Sequence, residues 1–174
     1  MTLAVGDGRN VQSSLVSWLR GDADIAALHL YDSWDDVIAT MDTADWKAPA
    51  ICVELIEAGT PYVRELGGVT LRKPFTFGVS YFGADGDGAR ANRDDYLSLI
   101  RRRLTAEDVA GGIGHTIPVH DYNSNALSLL GYAKVQEIQV VPTPSDGAPP
   151  QERYRGEVLV RLVLDERKVT WYGA

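Results

Sequence analysis

The stretch from Thr70 to Phe82, TLRKPFTFGVSYF, decides the fold. Read with the two-residue period of a β-strand, it places Leu71, Phe75, Phe77, Val79 and Tyr81 on one face. Thr70, Arg72, Thr76, Gly78 and Ser80 fall on the other. The first face reads as core and the second as polar or covered. Pro74 has no N–H to donate to a ladder, so the pattern puts this part of the strand at a sheet edge or a bulge and predicts an accessible edge there.

Upstream, Pro49 introduces the short apolar run Ala50 to Ile56, which reads as a largely buried strand. Its connection to the next strand, Gly59 to Gly68, carries Pro61 and the pair Gly67-Gly68. Trp34 to Ala48 shows no clear period and reads as a loop. Before it, Leu30, Tyr31 and Trp34 enter a strand or a packed loop, and a short helical turn runs from Asp22 to Leu28. From Arg9 to Arg20, Val11, Leu15, Val16 and Leu19 recur at near-helical spacing, and Gly21-Asp22 stops the helix.

Downstream, the glycine-aspartate loop Gly83 to Gly88 feeds a helix with Leu97, Ile100 and Leu104 on one stripe and Tyr96 and Leu99 beside it. Asp94 and Asp95 in its early turns and Arg101, Arg102 and Arg103 in its last complement the helix dipole. The three arginines read as solvated end charges in preference to a phosphate site. Gly111, Gly112 and Gly114 end that unit, Ile117 to Tyr122 reads as a short strand, and Ala126 to Leu130 reads either way. Tyr132 to Val141 and Tyr154 to Leu164 pair as an antiparallel hairpin. Between them, Pro142 to Arg153 holds Pro142, Pro144, Pro149 and Pro150 and predicts a projecting loop. The order implies an α+β fold: an antiparallel-dominated mixed sheet with an N-terminal helix and one main central helix packed on one face, as a single domain over residues 1–174.

The chain has 174 residues, enough for one real core, and 45% of them are hydrophobic. No run of about 18 apolar residues is present, so no membrane contact is expected. Acids exceed bases by seven, and the overall field repels phosphate backbones. The single cysteine, Cys52, lies inside an apolar run and reads as a small core hydrophobe.

Motifs that carry chemistry are tested and set aside. Asp85-Gly86-Asp87-Gly88 resembles the start of a calcium loop, but the twelfth position is Tyr96 or Ser98 where a glutamate is needed. Gly111-Gly112-Ile113-Gly114 lacks the Lys and Ser/Thr of a phosphate loop. Ser80, in Gly78-Val79-Ser80-Tyr81-Phe82, sits mid-strand without the second glycine of a hydrolase elbow. His29, His115 and His120 are scattered; His120 and Asp121, as strand neighbours, point to opposite faces, and surface histidines are expected. No catalytic residue, metal ligand or cofactor is assigned. The residues singled out are contact candidates: the aromatics Trp34, Trp46 and Tyr62 in loop-like segments, Pro74 at the expected edge, and Pro144 and Pro149 in the projecting loop. For each aromatic, covering the core is an equal alternative.

Several segments, in order, resemble the tail terminator, or tail completion, family of long-tailed viruses. They are the leading helix with Leu15 and Leu19, Leu28-His29-Leu30-Tyr31-Asp32, the proline-introduced Ala48-Pro49-Ala50-Ile51-Cys52-Val53, the Phe75 to Phe82 strand, and the Tyr96-Leu97-Ser98-Leu99-Ile100 helix. The resemblance runs from Val11 to Leu164. The chain departs from the family in its tryptophan-bearing stretch Trp34 to Trp46 and in the Pro142 to Arg153 loop. The resemblance implies a structural virion protein at the head-tail neck, assembled in the host cytoplasm: a homo-oligomeric ring, usually a hexamer. Such a ring caps the tail tube protein, docks on the head-tail connector or stopper protein, and lets genome DNA pass without specific binding. The alternatives are another neck component, or a small enzyme or ligand-binding domain whose site is built from residues distant in sequence.

Overall fold

The computed structural model describes residues 5–63, 70–84, 89–105, 115–122, 128–141 and 155–167. Its elements, in order, are α1 (Val5–Leu19), α2 (Ala23–Ala26), β1 (His29–Tyr31), α3 (Trp34–Thr40), β2 (Ala50–Ala58), β3 (Tyr62–Val63), β4 (Thr70–Phe82), α4 (Ala89–Leu104), β5 (Thr116–Asp121), β6 (Ser128–Val141) and β7 (Arg155–Arg167). All the strands join one sheet in the order β1-β2-β4-β7-β6-β5, with β3 on the same side of β4 as β2. Only β1 and β2 run parallel. The fold is the expected α+β class, with the sheet curled into a half-barrel.

Leu71 aside, the apolar face read from β4 is the floor of the core. Phe75, Phe77, Val79 and Tyr81 are buried against Val158, Val160, Leu162 and Leu164 of β7 and Ala133 and Val135 of β6. Leu97, Ile100 and Leu104 of α4 and Val11, Leu15 and Leu19 of α1 close that core from one side. Both helices therefore bury the stripes their periodicity marks.

Helix α1 also explains two buried polar side chains. It packs against both β2 and β5, which lie toward opposite margins of the sheet. Asn10 accepts a hydrogen bond from the Tyr122 N–H at 2.9 Å, and Ser14 accepts one from the His120 N–H at 3.1 Å. Edge backbone groups buried without a partner would each cost about 1–3 kcal/mol, so Asn10 and Ser14 do for this seam what a further strand would do.

Three readings are corrected. Pro74 lies in a central strand, not at an edge: β4 pairs with β7 on one side and with β2 and β3 on the other. Its carbonyl accepts from Gly59 N–H at 2.9 Å. A strand residue turns its nitrogen the same way as its carbonyl, so the donorless nitrogen faces the break between β2 and β3, where no ladder bond is lost. Second, Trp34 to Ala48 contains a helix. Ser33 caps α3 by accepting from Asp36 N–H at 3.2 Å and donating to the Asp36 carboxylate at 3.0 Å. Seven residues are too few to display a 3.6-residue period. Third, Arg103 is not a solvated end charge, although Arg101 and Arg102 are exposed. Its guanidinium lies 5.3 Å from the Trp18 ring centre and donates to the Trp18 carbonyl at 2.8 Å, while Trp18 Nε1 donates back to the Arg103 carbonyl at 2.9 Å. This reciprocal clamp ties the C-terminal ends of α1 and α4 together. Of the ambiguous Ala126 to Leu130, residues 128–130 open β6, and 126–127 lie outside the described residues. The glycine-aspartate loop residues 85–88, the 111–114 glycines and the whole proline-rich connection 142–153 lie outside the described residues.

Candidate functional site

A second, smaller core on the opposite face of the sheet takes up the two central tryptophans. Tyr31, Val37, Ala50, Cys52 and Phe82 are buried there, with Trp34, Met41 and Trp46 packed over them. The Trp46 ring stacks on Tyr31 at 5.4 Å and meets Phe82 edge-on at 5.5 Å, and Trp34 approaches Phe82 at 5.9 Å. The Arg155 guanidinium sits 4.4 Å over Trp34, a cation–π arrangement that holds the indole down. Trp34 and Trp46 are thus brought together as the half-buried lid of this core, the alternative weighed for them from the sequence.

Burial under that lid, followed by the nearby Glu54 carboxylate, pushes the Cys52 thiol from 9.0 up to about 12. The unfolded thiol ionises near 9.0 and the folded one near 12, so this group contributes stability below pH 9 that is lost as pH rises through that window. In the native protein at pH 8, Cys52 should resist iodoacetamide over hours and react fully in denaturant. Prompt native alkylation, followed by mass spectrometry, would show that the lid opens. Beside it, Glu54 is raised by burial, then by Asp35 and Glu157.

Beyond α3, the rest of this sheet face carries no helix among the described residues. Its side chains follow the strand register. One row runs Tyr62, Arg72, Asp165, Tyr132 and Pro118 across β3, β4, β7, β6 and β5. Arg72 Nε bonds Asp165 Oδ1 at 2.9 Å, and the Arg72 charge is further held by its hydrogen bond to Tyr62. The two tyrosines stand at either end, 45% and 51% exposed. Further along, Ile56, on the same face of β2 as Ala50 and Cys52, is 56% exposed beside Gly78. Leu129, at the start of β6, is 50% exposed.

Tyr62 is thus part-exposed and bonded to Arg72, Pro74 sits in the sheet interior, and Pro144 and Pro149 lie outside the described residues. Sequence reading missed Ile56, Leu129 and Tyr132. Both Tyr132 and Ile56 were legible in principle, since Tyr132 alternates out of phase with the buried Ala133 and Val135 and Ile56 with the core-facing Val53 and Leu55.

His29 meets Tyr31 at 4.7 Å and His115 meets Trp18 at 5.2 Å, so these rings pack on aromatics instead of standing free. Among the described residues no three of His, Cys, Asp and Glu converge in a way that could hold a metal ion. Ser80 is buried at the middle of the sheet. The exposed face displays tyrosines, aliphatic side chains and the Arg72–Asp165 ion pair. No protein-family model matches the chain, and no curated protein matches it by sequence.

Proposed function

We propose that this protein is a ring-forming structural subunit of a virus particle, a tail terminator that caps the tail tube and joins it to the head connector. One observation carries the reading. Exposed apolar side chains stand on more than one part of the molecule: Ile56 and Tyr62 on the β2–β3 flank, Leu129 and Tyr132 on the β5–β6 flank, and also Ile38 on α3, Tyr122 after β5 and Val140 near the end of β6. A ring closed by rotation needs two unlike patches per subunit, since one margin of each copy meets the other margin of the next; a two-fold dimer needs a single self-complementary patch. The order of elements agrees with the resemblance seen in the sequence. The net charge of −7 suits a ring through which DNA slides without being gripped, and the Arg103 guanidinium is already engaged by Trp18.

Light scattering on the purified protein should give a particle of about six times the 19.0 kDa chain, and negative-stain microscopy should show closed rings that cap tail tubes. A monomer at every concentration, with no affinity for tail tubes, would sink the reading.

A further inference from the structure

Helix α3 leaves one large apolar side chain in water. Val37 is buried and Trp34 and Met41 pack over the second core, whereas Ile38, at 59%, is the most exposed large hydrophobic among the described residues. It stands inside an acidic segment. From Asp32 to Trp46 the chain carries Asp32, Asp35, Asp36, Asp42 and Asp45, all exposed, and no Lys or Arg. Helical spacing sets Asp35 one turn before Ile38 and on the same side. Of the neighbouring bases, Lys47 follows the segment and Arg155 is already held over the Trp34 ring. An apolar centre inside a polar, charged rim is the anatomy of a protein–protein contact, and nothing in the core requires an isoleucine at this position.

A recess of matching character lies elsewhere, between α1 and β5. Its volume is about 170 Å³, its apolar walls are Trp18, Pro118 and Tyr122, and Ser17, His120 and Arg103 also line it. At about 30 Å³ per water the recess has room for about five, enough for the four-carbon side chain of an isoleucine. Bases gather at its rim. Arg103 lines it, Arg102 is exposed on the same turn of α4, and Arg20 is exposed one residue before Gly21. At Gly21 an added Cβ would come within 2.8 Å of the Arg103 guanidinium, so the chain at Arg20-Gly21 runs against that group. Of the acids that follow, Asp22 is engaged as the cap of α2 by the Asp24 and Ile25 N–H groups and Asp24 is exposed, which leaves positive charge in excess at this end.

We infer that Ile38 of one copy of this chain seats in the Trp18, Pro118 and Tyr122 recess of the next copy, with the α3 aspartates of the first against Arg20 and Arg102 of the second. The inference rests on the ring reading above and specifies its contact. Charge selects the occupant: the knob is ringed by carboxylates and the recess by guanidinium groups. A two-fold contact through α3 would instead set Ile38 against Ile38 and aspartates against aspartates, with like charges facing each other. No copy can fill its own recess, because the second core anchors α3 on the face of the sheet opposite α1. Each copy therefore offers a knob in one place and a recess in another. Such a contact repeats in one sense, and it closes into a ring when the rotation allows.

The test uses two variants of the full chain, both at exposed positions and both expected to keep the parent's circular dichroism. Ile38→Asp removes the knob and leaves the recess; Ser17→Trp fills the recess and leaves the knob. By light scattering each variant alone should be a monomer of 19.0 kDa, and their equimolar mixture should form a particle of twice that mass and nothing larger, since one knob and one recess remain between them. The dissociation constant of that pair should rise at least about tenfold from 0.1 M to 1 M salt, as the Debye length falls from about 10 Å to about 3 Å. Rings formed by either variant alone, a mixture that stays monomeric, or pairing indifferent to salt would each overturn the inference while the parent ring stands. Variants that keep the ring but no longer attach to tail tubes would assign the patch to the tube protein and overturn it as well. A parent chain that grows into open filaments, with the mixture still pairing, would overturn the ring and support the contact. A parent chain that is monomeric at every concentration overturns both.

Discussion

Phe77→Ala should lower the free energy of unfolding by about 3–5 kcal/mol, read as a drop in the urea midpoint at unchanged slope. Phe77 is fully buried at the centre of β4, opposite Leu55 of β2 on one side and Val160 of β7 on the other. Its ring packs with Phe75 at 6.3 Å. A central strand held on both sides cannot shift to fill the cavity, so the loss should lie high in the range for aromatic truncations. A loss below about 1 kcal/mol would mean that the site collapses or that the β4 face is misassigned.

The second large effect is a coupling. Leu97 of α4 is 7% exposed and rests on Gly156 of β7, where an added Cβ would come within 2.4 Å of a Leu97 methyl. Leu97→Ala should cost about 2–5 kcal/mol through the cavity it leaves. Gly156→Ala should cost about 1–3 kcal/mol by overpacking, since α4 must lift or Leu97 must leave its rotamer. In the Leu97→Ala background the same glycine change meets vacated space, so the double variant should be more stable than the sum of the two losses implies, by at least about 1 kcal/mol. Strict additivity would show that α4 does not sit on β7 through this contact.

Both predictions rest on stripes visible in the sequence. The β4 alternation from Phe75 to Tyr81, the α4 stripe of Leu97, Ile100 and Leu104 and the final antiparallel pairing of β6 with β7 stand in the structure as read, because each is long enough to show its own period, whereas the Ala50 to Ile56 run is buried only to Val53. The short elements were less legible. Helix α3 was read as loop because seven residues do not complete a pattern, although Ser33 and Asp36 carried its capping signal.

What the sequence by itself determined is thus the α+β class, the inward faces of the long elements, and the core nature of Cys52. All of these follow from local periodicity and from the free-energy cost of leaving apolar faces in water. What only the tertiary structure decided is how the ends and edges are used. Pro74 reads as lying at an edge or a bulge until the break between β2 and β3 is seen to face its donorless nitrogen. Trp34 and Trp46 read equally as contact residues or as core cover until Phe82 and Tyr31, distant in the chain, are found beneath them. Only the fold shows which edge groups α1 takes up, the Val53 carbonyl through Gln12 and the His120 and Tyr122 N–H groups through Ser14 and Asn10. Each of these turns on pairing between segments tens of residues apart. Such pairing leaves no period in the sequence, because it is set by which curled arrangement buries all the apolar faces at once while satisfying the edge backbone groups.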